Sequence, residues 1–503
     1  MCSVNAKISS ALLAVTLVLT ACGGGGASTT GSAPTATIVP SIQSSGKDFY
    51  LTLPDHICVS SPSLCNSGTT VTNKLIIASS SAATGNITFN GITTSFSVAA
   101  GSETAVTLDP AVVLTANETV EPKGIHVTSS VPVSVHVVSE NATSADGYLA
   151  LPVSGLGADY FVMSYGSTRY TGSEFAVVAT QNNTLVTITP TASGITQLAG
   201  MTYTVTLNAG DTYQLANPSN ADMTGTHITA NLPIAVFSGH RCADVPSGIG
   251  YCDYLVEQLP DTTVWGNTFH TTTFSGRARY TVRILAAQNG TTITTQPAGL
   301  IPGTLNAGQF VDVDLSGTGE FVSNNPVLIA QFMRGYADDM AAKGDPSMVL
   351  VTPSEMGVLD ATFGVEGLAG SAGSYMNVVT ETAALSSLTL DNTAVDPGLF
   401  TSVGGTSIYS VGTIPVSAGA HTLAGSAVFS ALVYDYGIAS NAVSYAYPVA
   451  TALSVPVATA GATTGTSTTP STGCSGVEGN VQTRNHHHDG SSRESDNDED
   501  ECH

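Results

Sequence analysis

The stretch Asn183-Thr184-Leu185-Val186-Thr187-Ile188 alternates polar and apolar residues. That is the period-two pattern of a strand with one face in a core and one in water. The pattern returns as Asn86-Ile87-Thr88-Phe89, Gly290-Thr291-Thr292-Ile293 and Ser387-Leu388-Thr389-Leu390. Three companions recur in fixed order around it. Apolar strands ending in proline precede it: Phe49 to Pro54, Tyr148 to Pro152, Tyr254 to Pro260 and Met348 to Pro353. Ala-Gly turns follow at Ala100-Gly101, Ala209-Gly210, Ala307-Gly308 and Ala418-Gly419, where glycine supplies the positive φ of a tight turn. Closing strands come last: Val131 to Val135, Leu232 to Val236, Asn325 to Ala330 and Val428 to Val433, the first three carrying a proline. The series predicts internal repeats of about 100 residues, each with about six to eight short strands and able to close as a two-sheet sandwich.

No stretch of a dozen residues holds apolar side chains at 3.6 spacing, so helices are expected to be short and rare. The expected fold is all-β, with four tandem β-sandwich-like repeats packed together over residues 47–140, 141–246, 247–343 and 344–448. Whether they form a rod or a ring is left open by the pattern. At the N-terminus, Lys7 and the apolar run Ile8 to Leu19 read as a signal peptide over 1–21, being too short to span a bilayer. Leu19-Thr20-Ala21-Cys22-Gly23 matches the bacterial lipobox, which predicts a lipid on Cys22, a flexible tether over 22–46 and an outer-membrane address at the cell surface. Beyond Val449 a Thr/Ser/Gly linker leads to a His-rich, acidic tail (449–503) expected to be disordered.

Only 10% of the 503 residues are charged, yet the mean hydropathy of +0.21 leaves ample material for a core. A formal net charge of -24 with 13 Lys plus Arg argues against nucleic acid or anionic lipid as partner, since both need a basic face. With Cys2 removed and Cys22 lipidated, six cysteines fall into near pairs, read as disulfides Cys58–Cys65, Cys242–Cys252 and Cys474–Cys502. A zinc site on His240, Cys242 and Cys252 is the alternative, but it lacks a fourth ligand.

A longer series carries a resemblance. Gly124-Ile125-His126-Val127 leads to Pro132-Val133-Ser134-Val135, then Ala145-Asp146-Gly147-Tyr148-Leu149-Ala150-Leu151-Pro152 and Gly157-Ala158-Asp159-Tyr160. Gly239-His240-Arg241-Cys242, Tyr251-Cys252-Asp253, Glu257-Gln258-Leu259-Pro260, Trp265-Gly266 and Gly344-Asp345-Pro346-Ser347-Met348 follow downstream. In this order, from about Gly124 to Tyr447, the segments resemble the IgGFc-binding protein N-terminal domain family. The resemblance implies a noncatalytic extracellular interaction module; it supplies no binding residues.

The sequence lacks Gly-x-Ser-x-Gly, His-Glu-x-x-His and Gly-rich phosphate loops, and no cofactor is implied. Candidate binding residues are His240, Arg241 and Asp244, held by the Cys242–Cys252 loop, with structural pairing of Arg241 to Asp244 or Asp253 as the simpler reading. Arg279 and Arg283 stand an even number apart on a strand and, with Arg277, form a basic spot suited to an acidic glycan or partner; separate structural ion pairs are the simpler reading. Weak metal candidates are His486, His487 and His488 in the tail, and Asp338 and Asp339 beside Arg334 and Asp345. The expected function is adhesion or recognition of an extracellular protein or glycan. A self-associating envelope component is the alternative, and a hydrolase would need a deep pocket with paired acid and base groups.

Overall fold

The computed structural model describes residues 37–38, 42–65, 70–338, 343–437, 443–454 and 458–459. The chain from Ile38 to Thr459 is one compact unit; the other unit, Met1–Thr37 with Ala460–His503, lies outside the described residues apart from Thr37. Cys22, Cys474, Cys502, Asp339 and His486 to His488 therefore fall outside the described residues.

The fold is all-β, and its antiparallel strands repeat four times in one order. In the first repeat the long strand Ile125–Asn141 belongs to two sheets. Its beginning pairs with Gly46–Leu51 and Ala83–Phe89, its end with Thr72–Ser79 and Ser144–Leu149. Gly319–Met333 in the third repeat and Gly419–Gly437 in the fourth likewise change partners between their first and second halves, each within one sheet. In the second repeat that strand is broken into His227–Ala230 and Ile234–Ala243. Pro132, Pro233 and Pro326 stand where the chain passes from one set of partners to the next, outside the registered pairs. There a missing N–H costs no ladder bond, which explains why the closing strands tolerate proline.

The alternating stretch Asn183 to Ile188 lies in the strand Thr184–Thr189, with Val186 and Ile188 buried and Leu185 exposed. The Ala-Gly turns are built as expected, with positive φ at Gly101, Gly210, Gly308 and Gly419. Two of them also join repeats. A Cβ on Gly124 would lie 2.6 Å from the Gly210 carbonyl oxygen, and one on Gly225 would lie 2.1 Å from that of Gly308. Backbone packs on backbone at these junctions, and only glycine leaves the room. Apolar packing crosses the junctions too: Leu285, Leu328 and Phe332 of the third repeat share a core with Phe175, Val177 and Val236 of the second.

The four repeats close into a ring. Ser144–Leu149, Asp253–Leu259, Ser347–Leu350 and Ser444–Pro448 are the innermost strands, each paired outward with the long strand before it and so completing that strand's repeat; the first three thus belong one repeat earlier than bounds at 141, 247 and 344 placed them. The first touches the second, the second the third, the third the fourth, and the fourth the first. At the seam Lys74 lies 2.6 Å from Glu140 and 2.7 Å from Glu366, so the first repeat grips the fourth. Chain ends reinforce the closure: the Ser44 N–H donates to Thr451 O at 2.9 Å and that of Leu453 to Ile42 O at 2.6 Å.

Two expectations are corrected. The ordered fold runs past the tether and linker boundaries: Ile42 to Ser44 bond to the segment Thr451 to Leu453, and Val449, Ala452 and Leu453 are buried, so these residues have partners that their composition did not advertise. Phe49 to Pro54 is also not the counterpart of Tyr148 to Pro152. Gly46–Leu51 pairs in the outer sheet, and the fourth innermost strand is Ser444–Pro448.

Candidate functional site

Four innermost strands around one axis cannot all pair edge to edge, so their inward N–H groups need other acceptors. Three acids and one amide supply them. Asp146 Oδ2 accepts from Val256 N and Met348 N, each at 3.1 Å, and Oδ1 accepts from Ala446 N at 3.4 Å. One carboxyl of the first repeat thus binds the backbone of the other three. Glu257 Oε1 accepts from Leu350 N at 3.0 Å, Gln258 Oε1 from Leu151 N at 2.9 Å and Asp253 Oδ1 from Ala145 N at 2.9 Å. Burial pushes the carboxyls of Asp146, Asp253 and Glu257 well above the usual range; the N–H bonds pull the other way without overcoming it.

The starts of the innermost strands face one end of the axis and their finishes the other, so all four run the same way. At the finishing end Leu149, Leu151, Trp265, Phe269, Leu350 and Leu453 line a small apolar cavity of about 50 Å³. The starting end opens into a recess of about 440 Å³. Its walls carry the Cys58–Cys65 and Cys242–Cys252 disulfides, which pack together with Ile57, Val71 and Tyr170. Thr143, Ser144 and Asp345 also line it, and Arg169, Tyr170, Tyr251, Tyr336 and Leu64 complete the lining. Tyr251 is 59% exposed and meets Tyr336 edge to face at 5.8 Å. Burial raises the Asp345 carboxyl to about 7, opposed by a Tyr336 N–H bond and by Arg277.

The residues singled out from sequence are placed as follows. His240 is buried and its Nδ1 accepts the Cys242 N–H at 3.0 Å; burial lowers its pKa to about 4. Arg241 pairs with Asp55 of the first repeat at 2.8 Å, not with Asp244 or Asp253. Those two are occupied by other groups: Asp244 accepts from Ser167 Oγ and Gly248 N, and Asp253 from Ala145 N and Tyr254 N. Arg283 is buried between the rings of Tyr165 and Phe310 and bonds Asp312 at 2.7 Å and Asp222 at 2.6 Å. Arg279 pairs with Asp338 at 3.0 Å, and Asp338 also takes Arg334 at 2.6 Å. Arg279 and Arg283 are therefore held in ion pairs, and Arg277 donates to the carbonyls of Lys343, Arg334 and Gly335. Among the described residues no group of three or more His, Cys, Asp or Glu is arranged to hold a metal.

Sequence reasoning missed the recess. Its signal was Tyr251, an aromatic in the short loop closed by Cys242 and Cys252, held there at a left-handed φ of 71°. Acids inside otherwise apolar strands, Asp146 and Glu257, were the matching signal for the axis.

Fold and recess together define a closed all-β repeat scaffold with a preformed opening at one end of its axis. The family model described as IgGFc binding protein matches residues 146–434, and the chain belongs to that family. It is 30% identical over 274 residues to a human (Homo sapiens) protein, IgGFc-binding protein, covering 53% of this chain and 5% of that protein. The chain thus corresponds to a small part of the human relative's length. No helix among the described residues is long and apolar enough to cross a membrane.

Proposed function

We propose that the chain is a noncatalytic recognition module that receives an extracellular protein or glycoprotein partner at the axial recess, displayed from a cell surface by a lipid on Cys22. The observation that carries the reading is the recess: exposed tyrosine and arginine at the mouth of a concave site whose walls are stiffened by two disulfides. Tyrosine and arginine are the side chains that anchor interfaces, because they give large contact area and directed hydrogen bonds. The printed name of the human relative makes immunoglobulin Fc the first partner to try. Against catalysis, the axial acids Asp146, Glu257 and Asp253 are engaged by backbone N–H groups.

The test is a binding array of the purified full chain against immunoglobulin Fc, mucins, matrix proteins and glycans. Saturable binding that survives moderate salt and falls with Tyr251→Ala supports the reading. Silence with concentration-dependent self-association overturns it in favour of an envelope component built from copies of the chain. For the anchor, labelling with a palmitate analogue should vanish in Cys22→Ala; unchanged labelling refutes it.

A further inference from the structure

The arginines of the folded unit are nearly all engaged. Arg241, Arg279, Arg283 and Arg334 pair with aspartates, and Arg277 donates to the carbonyls of Lys343, Arg334 and Gly335. Arg169 differs: it is exposed at the recess, its guanidinium lies 5.8 Å over the Tyr170 ring, and among the described residues it has no ion-pair partner. Gly250 faces it across the loop, where a Cβ would be 3.6 Å from Nη1, so the fork is left room rather than a partner. On a chain of net charge -24, an unpaired guanidinium beside aromatic rings in a preformed concavity is a receptor for a planar anion.

We infer that the axial recess binds an acidic saccharide, with the sugar carboxylate on Arg169, a ring face against Tyr251 or Tyr170, and sugar hydroxyls on Thr143, Ser144 and Asp345. The proposal rests on the recognition reading above and names the ligand class for the same site. Shape agrees, since about 440 Å³ falls in the range of about 300–1,000 Å³ typical of small-ligand sites. Chemistry separates a sugar from an acidic peptide. The inner wall is left with acceptors: Thr143 Oγ1 already donates to Asn141 Oδ1 at 3.2 Å and Ser144 Oγ already accepts the Tyr254 N–H at 3.0 Å, so the capacity remaining on these hydroxyls and on the Asp345 carboxyl suits a ligand rich in donors. A peptide carboxylate only accepts, and it would meet Asp345 as a second acid. A sugar brings donors to Asp345 and an apolar C–H face to the tyrosines, while its single carboxylate stays at the rim.

The experiment measures binding of the full chain to oligosaccharides ending in sialic acid, glucuronic acid or neutral galactose, with oligo-glutamate as the peptide control. Acid-terminated sugars should bind about tenfold or more tightly than the neutral one, the scale of one charge-assisted contact. Arg169→Met should remove that preference, and Tyr251→Ala should weaken acidic and neutral sugars alike. Both positions are exposed, so their melting curves should match the parent. An acid preference that survives Arg169→Met overturns the inference, as does oligo-glutamate binding as tightly as the acidic sugars. If a protein partner binds undisturbed by Arg169→Met while no sugar binds, the saccharide inference fails and the recognition reading stands. If neither proteins nor sugars bind, both fail.

Discussion

Asp146 and Met348 are 202 residues apart in the chain, and at the axis a carboxyl oxygen of one meets the N–H of the other at 3.1 Å. The same oxygen takes Val256 N, so two repeats are bound to a third through a single atom. Asp146→Ala strands buried N–H groups on three strands and should cost about 3 kcal/mol or more in denaturant unfolding. Asp146→Asn should cost far less, because its carbonyl can keep the Val256 and Met348 bonds. Equal losses in both variants would show that the carboxyl acts by volume and not by bonding.

Stability should fall as pH rises above about 7, where the unfolded histidines are already neutral. The fold raises the pKa of Asp146, Glu174, Asp253 and Glu257, each through burial. A raised acid contributes stability that is complete below its unfolded pKa and is lost as pH climbs to the folded one. Buried His56, His136 and His240, lowered to about 3, 4 and 4, work the opposite way: their contribution disappears as pH drops below the unfolded histidine range. Above about pH 7 those histidines are neutral in both states, leaving the acids to set the slope. A melting temperature that is flat or rises over this interval would contradict the assignment, and Asp146→Asn should make it shallower.

Arg283 should prove a keystone between the second and third repeats. It bonds Ser164 O at 2.8 Å and Thr224 Oγ1 at 2.9 Å besides its two aspartates. Arg283→Met leaves a buried cluster of acceptors unpaired and should cost about 3 kcal/mol, at the low end for broken buried pairs because Asp312 is part-exposed. Arg283→Lys should recover only part, since an ammonium cannot bond both oxygens of Asp312 and stack between two rings at once. Full recovery by lysine, seen in the same unfolding curves, would reduce the site to simple charge.

Removing the bond between Cys242 and Cys252 with Cys242→Ser should lower stability by about 2–3 kcal/mol and expose the recess loop to proteolysis first. Nonreducing peptide mapping of the parent should recover those cysteines linked, and Cys58 linked to Cys65. Cleavage appearing first in another repeat would mean that the disulfide is not what stiffens the recess wall.

Much of the scaffold was readable because it obeys local rules. Alternation placed Val186 and Ile188 inward, Ala-Gly pairs marked turns, and the closing strands announced themselves by hydrophobic runs. Ring closure was not readable, because it depends on pairings that carry no period, such as Asp146 with Ala446 and Lys74 with Glu366. The fourth innermost strand escaped notice for a different reason: Ser444-Tyr445-Ala446-Tyr447-Pro448 holds no Leu, Ile or Val, whereas such residues lead up to the proline in Tyr148 to Pro152, Tyr254 to Pro260 and Met348 to Pro353. Arg241 was expected to pair with Asp244 or Asp253, both nearby in sequence, whereas the fold brings it Asp55 from the preceding repeat. The recess itself gathers Leu64, Arg169, Tyr251 and Tyr336 from three repeats, and proximity of that sort exists only once the ring is closed.

The bond between Ile42 and Leu453 fixes more than a seam. Leu453 lines the apolar cavity at the finishing end of the axis, so the chain enters and leaves the ring at the pole opposite the tyrosine recess. The ring therefore has two unlike faces, one where its chain comes in and goes out and one given over to the tyrosine opening.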